Sequence, residues 1–256
     1  MDENARRMPL SANEKIRYAR HLNIPEIGEA GQEILKGAAV LVVGAGGLGS
    51  ASAYYLAAAG IGRLGIVDSD AVELSNLQRQ ILHGAGTLGM PKAASAQNRL
   101  ADLNADIRVE AVQARVEEGN VKDILADYPI IVDACDNFET RYLLNRACVA
   151  LGKTFVYGAV YQFYGQMSVF DAQHGPCFQC VFRKQPSQDF IDGNRGVGVV
   201  GALPGMIGSL QALETIKLLL GIGSPARGRL LLVDGLALNF QDIRVEKDPN
   251  CPVCAK

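Results

Sequence analysis

The chain has 256 residues, 48% of them apolar and 20% charged, and a formal net charge of -2. These are the proportions of an ordinary globular protein with enough length to bury a core, as one large domain or two small ones. Nothing in that charge calls for DNA or an anionic membrane surface as a partner.

The opening MDENARRMPL is polar and lacks an apolar signal core, which predicts a cytoplasmic protein. Residues 11–22, SANEKIRYARHL, read as a helix with Ser11 as N-cap and Glu14 at the capping-box position. Arg17 and Arg20 recur three apart and share a face, which on the residues alone is a solvated basic face. A second short helix over 26–35 follows.

The stretch 39–68, AVLVVGAGGLGSASAYYLAAAGIGRLGIVD, organises the rest. Its apolar run at 39–43 reads as a buried parallel strand and stops at Gly44, Gly46, Gly47 and Gly49. A small-residue helix over 50–59 offers free N–H groups and a positive dipole to an anion. A second strand over 63–67 delivers Asp68, where the nucleotide-binding fingerprint places a ribose-hydroxyl acceptor. The pattern predicts a bound nucleotide, with NAD and ATP both compatible; the alternative is a tight strand-to-helix turn with no ligand.

Beyond Asp68 lies a polar cluster of Ser75, Asn76, Gln78, Arg79 and Gln80, in which the planar donors of Arg79 suit a phosphate chain. In GMPKAASAQNRLADL, Pro91 stands near the first helical turn and Ala93, Ala96, Leu100 and Leu103 form an apolar stripe. Lys92 falls in that turn, where a cation opposes the helix dipole and a bound anion would reverse the sign. It is a candidate phosphate ligand, set against a plain surface lysine.

Strands are expected at 107–112 and 130–135, with a helix over 121–126 between them. In the DACDNFETR that closes the second strand, Asp136 and Glu139 have capping-box spacing ahead of a helix over 138–151, which Gly152 ends. Capping alone explains Asp136. It also stands, with Asn137, at the carboxyl end of a strand, where open parallel sheets take their ligands, so it is a candidate for holding magnesium or orienting a phosphate. Cys148 shares the apolar face of that helix with Leu144 and Leu151 and reads as core.

From Lys153 onward strands at 154–157, 166–170, 230–233 and 238–245 accompany one long helix over 206–220, ended by Gly221. The expected fold is α/β: a Rossmann-like nucleotide-binding half over 39–152, then a half over 153–256 that adds antiparallel strands to the same sheet. Helices over 11–36 precede both, and the whole reads as a single domain. Residues 183–201 form a polar, Gly-rich connection long enough to suggest function. Residues 196–213 carry no charge over nearly a membrane-spanning length, but five glycines and Pro204 make them a buried Gly-rich loop entering a core helix.

Four of the six cysteines form two CxxC pairs, Cys177 with Cys180 and Cys251 with Cys254, with 70 residues (181–250) between the pairs. Each CxxC turn aims two thiolates at one point, and two turns complete a closed, structural tetrahedral zinc site. The rival is a pair of redox motifs, although neither opens a helix in a thioredoxin-like unit.

Taken together, GAGGLGS, the acid of IVDSD, LSNLQRQ, the MPK turn, the CDN strand end and the paired CxxC motifs resemble the ThiF/MoeB/HesA family, from about Arg17 to Cys254. The resemblance implies an enzyme that uses Mg-ATP to adenylate the C-terminal glycine carboxylate of a ubiquitin-like sulfur-carrier protein ending in Gly-Gly. Pyrophosphate would be released, in molybdenum cofactor or thiamine biosynthesis. It further implies that Gly47 lies beside the nucleotide, that Asp68 holds the ribose, that Asn76, Arg79 and Lys92 contact phosphates and that Asp136 engages magnesium. A homodimer is implied too, in which Arg20 reaches the partner's phosphates, with a sulfurtransferase as a further partner. Against it stand an NAD-dependent oxidoreductase, a non-catalytic scaffold for ubiquitin-like tails, and adenylylation of a non-protein carboxylate. Many relatives carry a cysteine in the loop after the first CxxC, where this chain has Asn194 and no cysteine between Cys180 and Cys251. The expectation is an enzyme that stops at the acyl-adenylate.

Overall fold

The structure, a computed structural model, describes residues 7–193 and 196–255. The N-terminal segment forms α1 (Ala12–Arg17), α2 (Ala19–Leu22) and α3 (Gly28–Gly37). The Ser11–Glu14 capping box is formed, but the single helix expected over 11–22 breaks at Tyr18. Tertiary structure outweighs local propensity there: Tyr18 is buried, and its hydroxyl accepts from Asn104 Nδ2 at 2.9 Å.

The nucleotide-binding half follows the expected alternation. It runs β1 (Ala39–Val43), α4 (Gly47–Ala58), β2 (Arg63–Val67), a 3-10 turn at Leu74–Asn76, α5 (Lys92–Leu103), β3 (Arg108–Val112), α6 (Val121–Leu125), β4 (Ile130–Asp133) and α7 (Phe138–Leu151). The left-handed Gly152 ends α7. The second half comprises β5 (Thr154–Tyr161), β6 (Tyr164–Phe170), α8 (Phe178–Val181), α9 (Gln188–Gly193), α10 (Ala202–Leu220), β7 (Arg229–Asp234) and β8 (Asn239–Arg244).

One eight-stranded sheet orders these as β3-β2-β1-β4-β5-β6-β7-β8. The pairs from β3 to β5 are parallel, and those from β5 to β8 are antiparallel. The sheet is covered on both faces, and β1 shows how: Val40 and Val42 join the core with Leu48, Leu56 and Ile207, whereas Leu41 and Val43 join Leu125, Leu144 and Phe155. The order of crossovers reverses between β1 and β4, so a crevice opens at their carboxyl ends, where such sheets bind ligands.

Helix α10 begins at Ala202, four residues before the expected start, because Pro204 is tolerated in a first turn. The segment before it differs from expectation as well, since residues 196–201 are exposed or half-buried, not buried. No helix of the described residues is long and apolar enough to cross a membrane. Helix α10 packs hard on α4: a Cβ at Gly208 would lie 2.4 Å from the Leu48 carbonyl oxygen. Its buried Gln211 donates Nε2 to the Asp133 and Val156 carbonyls at 2.7 and 3.1 Å, tying the helix to β4 and β5.

Under the crevice lies a buried ion pair, Arg141 Nε to Asp133 Oδ2 at 2.7 Å. Arg141 Nη2 also donates to the Cys135 and Gly158 carbonyls, and the guanidinium stands 5.0 Å over the Tyr157 ring. Removing one partner of such a pair strands a buried charge, so Arg141→Met is expected to lower stability in urea unfolding by about 3–5 kcal/mol. Adding Asp133→Asn should recover part of that loss, and no recovery in the double variant would contradict the pairing.

Candidate nucleotide and metal sites

The glycine loop divides into two functions. Gly44 has φ +101°, and a Cβ on it would sit 2.5 Å from the Ala134 carbonyl oxygen; at Gly49 it would sit 1.9 Å from that of Gly44. Those two glycines let β1, α4 and the end of β4 close on one another. Gly46 and Gly47 instead face side chains, with Gln80 Nε2 3.8 Å from a Cβ position at Gly46 and Arg79 Cγ 3.5 Å from one at Gly47. Gly46 is also the N-cap of α4 and has no side chain to occupy the free N–H groups of the first turn.

Asp68 closes the loop from the β2 side. Its Oδ2 accepts from Ala45 N and its Oδ1 from Asp70 N, both at 2.8 Å, and each oxygen keeps a lone pair for a further donor. Lys92 is 6% exposed, and its Nζ lies 2.9 Å from Asp70 Oδ2. The anion that its place in the first turn of α5 asks for is therefore supplied by Asp70, with further ammonium hydrogens left over. Pro91 is the N-cap of α5, directly before its first turn, as expected.

Ser75 is exposed, while Asn76 and Arg79 are half-buried. They are held by long bonds among themselves: Asn76 Nδ2 to Ser75 Oγ at 3.4 Å and Arg79 Nη1 to the Ser75 carbonyl at 3.3 Å. Asp136 and Asn137 are exposed just past β4. The expected Asp136–Glu139 capping box is not formed, because Asn137 is the N-cap and its Oδ1 accepts from Thr140 N at 2.8 Å. Asp136 makes no hydrogen bond or ion pair among the described residues, which leaves its carboxylate open to a cation.

Arg20 is exposed, lies between buried Tyr18 and half-buried His21, and has no ion pair among the described residues. His21 Nδ1 bonds Gln32 Oε1 at 2.9 Å, so the backbone on either side of Arg20 is anchored while its side chain points outward. It does not join the other candidates within this chain. Asn194 lies outside the described residues.

Two buried polar atoms beside the loop, Ser50 Oγ and Gln80 Oε1, have no hydrogen-bond partner among the described residues. With Arg79 and Lys92 as cations, Asp68 as acceptor and Asp136 as an open carboxylate, the residues fit a nucleoside triphosphate with its magnesium. Sequence patterning missed Arg141, although its sign was there: it falls on the same face of α7 as Leu144 and Cys148, where a charge must be paired. It missed His83 as well, whose placement depends on residues far apart in the chain.

The four paired cysteines meet in one buried cluster, their sulfurs all within 4.8 Å of one another. Across the pairs Cys177 lies 3.6 Å from Cys251 and Cys180 lies 3.4 Å from Cys254. Sulfurs bound tetrahedrally at the zinc–thiolate length of about 2.3 Å are separated by about 3.8 Å, so the cluster has the dimensions of a closed zinc site. Burial pushes the Cys177 thiol up and raises Cys254 to about 11. At Cys251 burial acts the same way, but hydrogen bonds from the backbone N–H groups of Val253 and Cys254, together with those from the Cys177 and Cys254 side chains, outweigh it and hold the thiol below its ordinary value. A bound cation would relieve this crowding by taking all four as thiolates.

The ThiF family model matches residues 18–253. The chain belongs to the ThiF family. It is 49% identical over 243 residues to a sulfur carrier protein adenylyltransferase of Thermus thermophilus, covering 93% of this chain and 90% of that one. It is 44% identical over 249 residues to the SAMP-activating enzyme E1 of Haloferax volcanii, covering 97% and 92%. A mouse adenylyltransferase and sulfurtransferase MOCS3 is 46% identical over 253 residues, and there the match takes in 98% of this chain but 55% of the relative. Among solved structures, Escherichia coli MccB with AMPCPP and MccA superposes with a TM-score of 0.86 at 20% identity, covering 96% of this chain and 75% of that one, which shows the fold.

Purified chain is expected to carry about one zinc per protomer by elemental analysis. Cys251→Ser should lose the metal and lower the melting temperature by about 10 °C or more, since a structural site contributes several kcal/mol to folding. An unaltered melting temperature in metal-free protein would contradict a structural role.

Proposed function

We propose that this adenylyltransferase activates the C-terminal glycine carboxylate of a ubiquitin-like sulfur-carrier protein in the cytoplasm, converting it and ATP into an acyl-adenylate and pyrophosphate. The carrier would serve molybdenum cofactor or thiamine biosynthesis. The observation that carries the reading is the convergence, at the carboxyl ends of β1 and β4, of the glycine loop with Asp68, Lys92 and Arg79. The similarity to a sulfur carrier protein adenylyltransferase and to an adenylyltransferase and sulfurtransferase MOCS3 supports it.

A terminal peptide carboxyl has a pKa of about 3.5, so at neutral pH it is already the nucleophile. One of its oxygens attacks the α-phosphorus, the bond from that phosphorus to the bridging oxygen breaks, and pyrophosphate leaves with the electron pair. No proton is removed, and no general base is needed. The step instead needs fixed cations where charge builds on the phosphoryl oxygens and the leaving group, a part that falls to Arg79 and Lys92. Asp68 takes the ribose hydroxyls, and Ser75, Asn76 and Asn137 line the nucleotide. Magnesium, held by Asp136, would add charge neutralisation at the phosphates when bound.

The carrier would approach from the open end of the sheet. Since β5 runs parallel to β4, its Tyr161 end lies on the same side as the glycine loop. Exposed Tyr161, Phe163 and Tyr164 stand there with Leu238 of the β7–β8 turn and Phe240 at the start of β8, an apolar tip suited to a folded carrier. From the tip, residues 198–201 run back toward the polar cluster: Gln162 pairs with Val199, and a Cβ at Gly201 would sit 2.3 Å from the Gln78 carbonyl oxygen. An extended Gly-Gly tail following that segment would arrive at Gly47.

All six cysteines of the chain are buried, four of them in the cluster that Cys177, Cys180, Cys251 and Cys254 form. None is placed to take the carrier as a thioester. The acyl-adenylate is therefore the final product, and sulfur comes from another protein. A homodimer, with Arg20 completing the partner's site, gives that outward-pointing side chain its role.

Lys92→Ala and Arg20→Ala are each expected to cut carrier-stimulated ATP–pyrophosphate exchange about 100-fold or more without altering the unfolding transition. Unchanged exchange in Lys92→Ala would overturn its assignment. Mixing the two inactive variants through a denaturation–refolding cycle should restore about a quarter of wild-type exchange, because half the dimers then hold one intact site. No restoration would exclude Arg20 acting across a dimer.

A further inference from the structure

His83 lies between the glycine loop and the helix that carries Lys92. The imidazole is 8% exposed, and both ring nitrogens are engaged: Nε2 lies 2.9 Å from the Ala45 carbonyl oxygen, and Nδ1 lies 2.9 Å from Ser95 Oγ. A carbonyl can only accept, so Nε2 carries the proton and donates to Ala45, while Nδ1 accepts from the Ser95 hydroxyl. That neutral tautomer satisfies both partners at once.

The consequence emerges when the bond is followed around the site. Ala45 N donates to Asp68 Oδ2, Asp68 Oδ1 accepts from Asp70 N, and Asp70 Oδ2 holds Lys92 Nζ at 2.9 Å. Ser95 lies three residues beyond Lys92 in α5 and returns the chain of contacts to His83. Hydrogen bonds, closed between Lys92 and Ser95 by one turn of α5, thus join the loop, the ribose acid and the phosphate lysine, and His83 is the member whose ordinary pKa lies nearest neutral pH.

We propose that His83 is a positioning residue for adenylyl transfer: neutral, it locks the Ala45 carbonyl to α5, and protonation at Nδ1 reverses the Ser95 hydrogen bond, the ring then donating to the hydroxyl, and sets a positive charge beside Lys92 and the loop. The proposal rests on the adenylation reading for its activity readout. Burial lowers the pKa of His83 and is the main cause; of the charged groups that face the ring, Lys92 lowers it further, while Asp68 and the Ala45 carbonyl oppose. Because the folded-state pKa lies below the ordinary value, the stabilisation of the neutral ring is complete above about pH 6.5 and is lost as pH falls through the folded value.

The test compares wild type, His83→Ala and His83→Gln in carrier-stimulated ATP–pyrophosphate exchange between pH 5 and 8. The amide of the His83→Gln variant can replace the ring nitrogen as donor to Ala45 but does not titrate. Expected for His83→Ala is a rise of about tenfold in KM for ATP with a smaller change in kcat, the loss of one buried hydrogen bond to the loop. His83→Gln should recover most of that KM and shift the acid limb of kcat/KM to lower pH. An ATP KM within twofold of wild type in His83→Ala, or an acid limb unmoved in His83→Gln, would overturn the proposal.

Nitrogen-15 NMR of the three histidines, with the His83 signals assigned by their loss in His83→Gln, decides the matter independently of turnover. A proton on Nε2 and a titration below the ordinary histidine range are expected; a proton on Nδ1, or an ordinary pKa, would refute it. Should wild type show no exchange with any carrier, the adenylation reading fails while this measurement still tests the lock.

Discussion

The geometry of the crevice depends on the Asp133–Arg141 pair beneath it. Two buried charges are costly to bring together and contribute little net stability, so their value lies in what they hold in place. Arg141 donates to the carbonyls of Cys135 and Gly158, fixing the end of β4 and the middle of β5. The Ala134 carbonyl, one residue before Cys135, is the surface against which Gly44 turns. The glycine loop therefore rests on a strand end that is clamped from below by charge and from behind by Gln211. Above this floor, Asp68, Asp70 and Lys92 form the wall on the β2 side.

A site built this way suits a reaction whose nucleophile arrives ionised. Its groups are pre-set by hydrogen bonds to one another, so little reorganisation is needed when charge moves on the phosphates. The imidazole that joins the loop to α5 is buried with both nitrogens engaged, and the cysteines are withdrawn from solvent. In the proposed reaction the chemistry would be carried by positioned charge, with neither a base nor a thiolate.

Much of this was legible in the sequence, and the physical reason differs from element to element. The strands at Ala39–Val43 and Arg63–Val67 are short, largely apolar runs bounded by glycine or charge, and such runs in parallel sheets have few alternatives. The mixed sheet followed from the change in spacing after Lys153. The paired cysteines were legible because CxxC turns act locally. What stayed hidden depends on distant partners. The break at Tyr18 answers to Asn104, the capping of α7 falls to Asn137 because of where β4 stops, and the anion beside Lys92 is Asp70, which the sequence places 22 residues away. His83 had no visible role because Ala45 and Ser95 meet it only in the folded chain.

The cysteine cluster has a topological consequence. It joins the turn at Cys177 and Cys180 to the last described residues of the chain, so α10, β7 and β8 all lie within the loop that it closes. The segment carrying α9 lies inside the same loop and crosses the surface. A protease that nicked the backbone there would leave two fragments still stitched at one end by four sulfurs and along their length by the β6–β7 ladder. The protein should thus survive as a two-piece molecule, and the same segment is a natural place to split it into complementing halves.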